Sequence, residues 1–173
     1  LEEKTVSEEL LYEGRIVTLK KNKVLLPNGK ESIREVVLHA PAVVIIAQTS
    51  KKELLLVEQF RYPIAKQIVE FPAGIMESGE LPLVAAKREL KEETGYSADQ
   101  WTSLGGMYMA PGFCDEYMHF FLAQDLVKGK QDLDEDECLN VLTQSMDQFR
   151  QTIKEQKYDD AKTVLGFLLA KPY

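Results

Sequence analysis

Cysteine is scarce in this chain of 173 residues: Cys114 and Cys138 are the only two, without C-x-x-C spacing or a pairing framework. That excludes a disulfide-stapled scaffold and a zinc site built on thiolates. The first thirty residues hold no apolar stretch of the kind a secretory signal uses, so the expected compartment is the reducing cytoplasm. The longest apolar run, Ala42 to Ala47, has six residues, far short of the ~20 that a membrane-crossing helix needs. Positive charge is also in deficit, with 21 basic against 28 acidic residues and a net charge of −7. No basic stripe is present to displace counterions, so a polynucleotide partner is not expected. The same charge repels small anions, and a phosphate ligand would need metal ions or local arginines to reverse the field. His39 and His119 stand eighty residues apart without zinc-ligand partners, and neither G-x-S-x-G nor a Walker A signature occurs.

What is present is a chain 45% apolar, with no repeat, low-complexity tract or Gly/Ser linker to divide it. Strand-like composition over Tyr12–Leu19 and Lys23–Leu26, the turn Pro27-Asn28-Gly29 and a further β pattern over Glu31–Leu38 predict an N-terminal antiparallel unit. Ala42–Gln48 and Glu53–Gln59 read as a hairpin of a central sheet, and Gln67–Phe71 as another strand. The period then turns helical over Leu83–Thr94, with Leu83, Ala86 and Leu90 on one stripe, Pro82 at the first helical position and Gly95 just past the end. Strands over Trp101–Tyr108, Tyr117–Ala123 and Leu139–Thr143 and helices over Met146–Gln156 and Asp160–Ala170 complete the pattern. Without regular βαβ alternation, the expected class is α/β in the broad α+β sense, a mixed sheet with helices packed on it.

The chemistry concentrates on the first helix. Glu89, Glu92 and Glu93 stand at i, i+3 and i+4, which places them within an arc of about 100° on one face. Like charges so spaced destabilise a helix by ~0.2–0.5 kcal/mol per pair, and in the last turn the helix dipole opposes each by a further ~0.3–1 kcal/mol. A solvated acidic face is the bland explanation for such a triplet. Its neighbours favour another: Ala85 leaves room one turn earlier, and Arg88 lies four residues before Glu92, spaced for an ion pair. Carboxylates arranged so suit a hard divalent cation, Mg²⁺ or Mn²⁺.

Residues Gly74 to Tyr96 read GIMESGELPLVAAKRELKEETGY and fit G-x5-E-x7-R-E-U-x-E-E-x-G-U at every specified position, U being bulky and apolar or aromatic. This segment resembles the Nudix box, and with residue usage of roughly 5–7% per position a chance match is below about one in a million. The resemblance implies a Nudix fold, a mixed β-sheet sandwiched by helices with a small N-terminal antiparallel β unit. It implies a division into residues 1–40, serving dimerisation and the adenosine pocket, and residues 41–173, the hydrolase domain. It also implies hydrolysis of a diphosphate joining a nucleoside to another moiety, assisted by Mg²⁺, with Mn²⁺ as a substitute. Glu89 and Glu93 match the principal metal ligands of the family, Glu92 the third box carboxylate, a ligand in some members and a catalytic, water-orienting group in others, and the carbonyl of Ala73 a frequent further ligand. Arg88 and Glu80 match a supporting ion pair, and Gly74 the glycine that opens the box.

Features outside the box resemble the ADP-ribose pyrophosphatase group. Gln59-Phe60-Arg61 matches a segment whose arginine contacts substrate, Glu70-Phe71-Pro72-Ala73-Gly74 the lead-in to the box, and Pro111 a proline fifteen residues beyond Tyr96. Met109, Pro111 and Gly112 are thereby candidate substrate contacts, as are Glu31 and Arg34 in the N-terminal unit. The acidic run Asp132–Glu137 matches a loop that carries a general base; Glu137 is the first candidate and Glu135 the second. The resemblance implies a homodimer acting on a nucleoside diphosphate sugar, with ADP-ribose cleaved to AMP and ribose 5-phosphate. ADP-glucose and UDP- or GDP-sugars are the alternative substrates, and a non-catalytic ADP-ribose sensor the alternative of another class. The only tryptophan, Trp101, follows the box, so adenine would have to stack on Tyr12 or another side chain. Glu116 reads equally as a strand-edge carboxylate or a substrate contact.

Overall fold

The computed structural model describes residues 1–133 and 138–171. Two compact units account for the chain: residues 1–41 with 107–118, and residues 42–106 with 119–173.

The first unit is a three-stranded antiparallel meander of β1 (Lys4–Glu13), β2 (Val17–Leu25) and β3 (Glu31–His39). The β2–β3 turn is built as its sequence requires. Gly29 takes φ +81° and its N–H bonds Leu26 O, while the Asn28 carboxamide accepts from Lys30 N. The expected strand over Tyr12–Leu19 is corrected: the chain reverses there, with Glu13 opposite Thr18 and Gly14 N donating to Val17 O at 3.0 Å. The signal misled because β1 has no buried face. All ten of its residues are exposed, and ladder bonds to β2 with ion pairs such as Lys20–Glu8 at 2.9 Å hold it. Residues 107–118 join β3 through Val37 N to Phe113 O at 2.8 Å and Asp115 N to Val37 O at 3.2 Å.

The second unit is a seven-stranded sheet in the order β10-β5-β4-β9-β8, with β6 paired to β5 and β7 to β4. Its strands are β4 (Ala42–Gln48), β5 (Glu53–Arg61), β6 (Lys66–Glu70), β7 (Ala73–Ile75), β8 (Tyr96–Tyr108), β9 (Tyr117–Lys128) and β10 (Leu139–Ser145). β8 and β9 run on into the first unit. Helices cover both faces, which bears out the expected layering. Under α1 (Pro82–Thr94) lie Val43, Ile45, Ala47, Leu55, Phe121 and Ala123, packed with Ala85, Ala86 and Leu90. Alternation along β4 turns Ile46 to the other face, where Gly166 of α3 (Ala161–Ala170) approaches so closely that a Cβ would lie 3.1 Å from its Cδ1. Phe149 of α2 (Met146–Lys154) packs there with Phe71 and Phe167, ring centroids 5.5 and 4.7 Å away.

α1 starts at Pro82 and ends at Thr94, capped by Gly95, which adopts φ +75° and donates its N–H to Lys91 O at 2.8 Å. The expected stripe needs one correction. Leu83 is exposed, and the buried positions are Ala85, Ala86, Glu89, Leu90, Glu93 and Thr94. Two glutamates therefore occupy the inner face of the helix. α2 stops at Lys154, short of the expected Gln156, whose φ of +56° is left-handed. No helix among the described residues is long and apolar enough to cross a membrane.

Candidate active site

The candidate site forms where α1 crosses β7. Gly74, opposite Val43 in the β4–β7 pair, meets the Glu89 carboxylate so closely that a Cβ would lie 2.0 Å from its carboxyl carbon. Only glycine leaves that carboxylate its place. Ala73 N donates to Glu93 Oε2 at 3.1 Å, so adjacent residues of β7 receive two of the α1 carboxylates. Arg88 joins the parts. Its Nη1 donates to Glu89 Oε1 at 2.7 Å and Glu92 Oε2 at 3.0 Å, its Nε and Nη2 each reach Glu80 at 3.0 Å, and Nη2 also bonds Ile75 O at 3.2 Å. The hydrogen bonds from Arg88 hold Glu80 below the usual carboxylate range. Those to Glu80 raise Arg88, outweighing its partial burial, and Glu89 and Glu92 add to the rise.

Four carboxylates against one guanidinium leave this cluster three charges negative. Among the described residues no three acidic, histidine or cysteine side chains converge tightly enough to hold a metal. Arg88 lies between Glu89 and Glu92 and supplies there part of the positive charge that a cation would bring. The donor set nonetheless fits a hard divalent cation in kind, being oxygen alone, in negative excess and seated against a backbone that only glycine keeps open.

The chain that leads into the acidic run is tied to the same end of α1. Gly129 N donates to Gly95 O at 2.7 Å, Gln131 Nε2 to Glu93 O at 2.5 Å and Asp132 N to Glu92 O at 3.1 Å. The candidate bases Glu135 and Glu137 lie outside the described residues.

Arg61, at the end of β5, is held edge-on by Glu70, which the sequence marks only as part of the lead-in to the box. Glu70, 1% exposed, accepts from Arg61 Nη2 at 2.5 Å and from its Nε at 3.0 and 3.2 Å. Burial opposes the charge of Arg61, yet the hydrogen bonds and charge of Glu70 raise its pKa, with Glu93 and Asp160 adding to them. Behind Glu70 stands Lys162 of α3, its Nζ 3.1 Å from Glu70 Oε2 and 2.9 Å from Asp160 Oδ2. Asp160 caps α3 by accepting from Thr163 N at 3.0 Å, and Thr163 Oγ1 accepts from Phe71 N at 3.1 Å. None of Asp160, Lys162 and Thr163 was a sequence candidate. A polar triplet at the start of an apolar helix was the available signal.

In the first unit a cavity of about 400 Å³ is lined by Arg34, Glu35, Tyr108, Pro111, Gly112 and Phe113, among others. Arg34 is held there by Glu3 at 2.6 and 2.9 Å, whose hydrogen bonds raise its pKa. Three sequence candidates thus share one cavity, with Glu35 as an unforeseen neighbour. Glu31 and Met109 are not on its wall: Glu31 pairs with Lys23 at 2.6 Å, and Met109 N bonds Glu116 O at 3.2 Å. Glu116 lies 3.6 Å from His39 Nδ1. Burial lowers His119 from its ordinary value. Trp101 packs edge-on against Phe121, ring centroids 6.3 Å apart, in the core under α1.

Comparison with known proteins matches residues 38–165 to the family model described as the NUDIX domain, and residues 3–37 to the one described as the nucleoside diphosphate sugar hydrolase N-terminal domain. A protein named Methanol dehydrogenase activator, from Bacillus methanolicus, is 45% identical over 95% of this chain and 90% of its own length. An ADP-ribose pyrophosphatase from Bacillus subtilis strain 168 is 43% identical over 94% of this chain and 89% of its own. A crystal structure titled as an ADP compounds hydrolase superposes with a TM-score of 0.89 at 24% identity, covering 99% of this chain and 94% of the other, a likeness of fold.

Proposed function

This chain belongs to the Nudix family, and from that we propose that it hydrolyses ADP-ribose to AMP and ribose 5-phosphate. The observation that carries the reading is the seating of Glu89 against Gly74 with Arg88 bridging Glu89, Glu92 and Glu80. The 43% identity to a protein named for that activity supports the choice of substrate.

Glu89, Glu92, Glu93 and the carbonyl of Ala73 would hold the divalent cation, for which we propose Mg²⁺ with Mn²⁺ as a substitute. Bound there, it supplies charge neutralisation at the diphosphate and a lowered pKa for water. The side chains do the rest. Arg88 keeps Glu89 and Glu92 apart and aligned, so the carboxylates reach their positions before substrate arrives. Arg61 donates to diphosphate oxygens from the part of its guanidinium not occupied by Glu70. Glu137, or Glu135, takes the proton of the attacking water as its oxygen bonds phosphorus and the bridging P–O bond breaks, leaving two monophosphates. The anchoring of Gly129, Gln131 and Asp132 to the end of α1 supports a base on this segment. Arg34, Pro111 and Gly112 are the proposed substrate contacts of the first unit, with Glu31 and Met109 retained on resemblance alone.

The N-terminal family model is described for nucleoside diphosphate sugars as a class, which favours ADP-glucose or a UDP- or GDP-sugar as the second reading. Turnover of ADP-ribose, ADP-glucose, UDP-glucose and GDP-mannose, measured side by side, separates the two. Preference for ADP-ribose is the expected result, and preference for another sugar overturns the substrate while keeping the chemistry. We place this activity in the cytoplasm and assign it to a homodimer formed through the first unit.

A further inference from the structure

We propose that Lys162, on the C-terminal helix, is a positioning residue that sets substrate affinity by holding Glu70 and, through it, the guanidinium of Arg61. The proposal rests on the reading of Arg61 as a substrate contact. Its geometric basis is a chain of alternating charge, buried at Lys162 and Glu70, that runs from α3 to the end of β5. Asp160 faces Lys162 at 2.9 Å, Lys162 faces Glu70 at 3.1 Å, and Glu70 faces Arg61 at 2.5 Å.

Lys162 and Glu70 are 10% and 1% exposed, so water screens neither charge effectively. The two cations and two anions cancel. Both Glu70 oxygens accept from Arg61, and Oε2 also meets Lys162 and, at 3.4 Å, Gln59 Nε2. The carboxylate is thereby fixed from both sides and presents a fixed edge to the guanidinium. Arg61 spends Nε and Nη2 on Glu70 and leaves its Nη1 edge outside these bonds. That edge belongs to a group 40% exposed and within the field of Glu93, a carboxylate of the candidate metal set.

Removing the ammonium of Lys162 leaves these four groups one charge negative. Arg61 is then drawn toward two carboxylates instead of sharing one, and its field at an anionic substrate weakens. The diphosphate is charged in ground state and transition state alike, so the loss falls on binding and not on the chemical step. A lysine that only packed α3 against the sheet would produce no such division.

The test compares Lys162→Met, Lys162→Gln, Lys162→Arg, Arg61→Ala and the double variant R61A/K162M, with the nucleoside diphosphate sugar turned over best and saturating divalent cation. Lys162→Gln keeps a polar side chain and carries the test if Lys162→Met fails to fold. KM should rise about tenfold in both, the scale of one charge-assisted hydrogen bond, with kcat within about twofold, the pattern of lost uniform binding. Lys162→Arg, which keeps the charge, should restore KM, and the double variant should be no worse than Arg61→Ala. Raised KM in Arg61→Ala beside unchanged KM in the Lys162 variants overturns the proposal alone, as does additivity in the double variant. Unchanged KM in Arg61→Ala removes the reading of Arg61 and the proposal with it.

Discussion

At the scale of single residues, the site is fixed by close approach as much as by charge. Gly74 has an ordinary backbone conformation, and what demands glycine there is the Glu89 carboxylate lying where a Cβ would stand. Gly74→Ala should therefore lower kcat about a hundredfold, the scale for displacing a positioned electrostatic group, while the circular dichroism spectrum stays that of the parent. Parental turnover would show that Glu89 need not sit against β7. Glu80 offers a second test, through pH. Its pKa is lowered in the folded protein by Arg88, so the unfolded chain binds its proton more readily than the native one. The stability this contributes is present above the ordinary value of 4.5 and is lost as pH falls through the lowered one. Thermal melts should show Glu80→Gln less stable than the parent near pH 7, with the gap closing below pH 4.5. A gap that widens in acid would reverse the sign of the assignment.

At the scale of elements, what could be read from sequence tracks the strength of local signals. α1 was legible to its last residue because Pro82 and Gly95 act locally, one through its fixed φ and the other through a left-handed turn. β1 was not legible, since a strand exposed along its whole length has no alternation to betray it. The box carboxylates and the Arg88–Glu92 pair could be read from spacing, and Glu80 from the resemblance to the box, because a single helix and the loop before it carry them all. The Glu70–Lys162 contact joins residues ninety-two apart, and nothing in either neighbourhood announces the other. Ser145 and Gln148 form a capping box at the start of α2 that passed unremarked in the sequence. Ser145→Ala should destabilise the protein by about 1 kcal/mol, read as a lower urea midpoint at unchanged m-value. An unchanged midpoint would mean that this helix end needs no cap.

At the scale of the whole molecule, two compact units differ in how they bury their strands. Residues 42–106 and 119–171 supply a core built from both faces of one sheet, while the first unit exposes Val6, Leu10, Leu11 and Tyr12 along β1. Exposed apolar side chains on an edge strand favour pairing with another chain, and a second copy is the occupant proposed here. Light scattering behind size exclusion should report a dimer for the parent and a shift toward monomer for Leu10→Lys; a monomeric parent would contradict this. The α1 carboxylates are proposed to act through a divalent cation. This is tested most directly by turnover of ADP-ribose after removal of metal with EDTA and readdition of Mg²⁺. Turnover should be abolished by EDTA and restored by Mg²⁺; full turnover in excess EDTA would show that these carboxylates act without a metal.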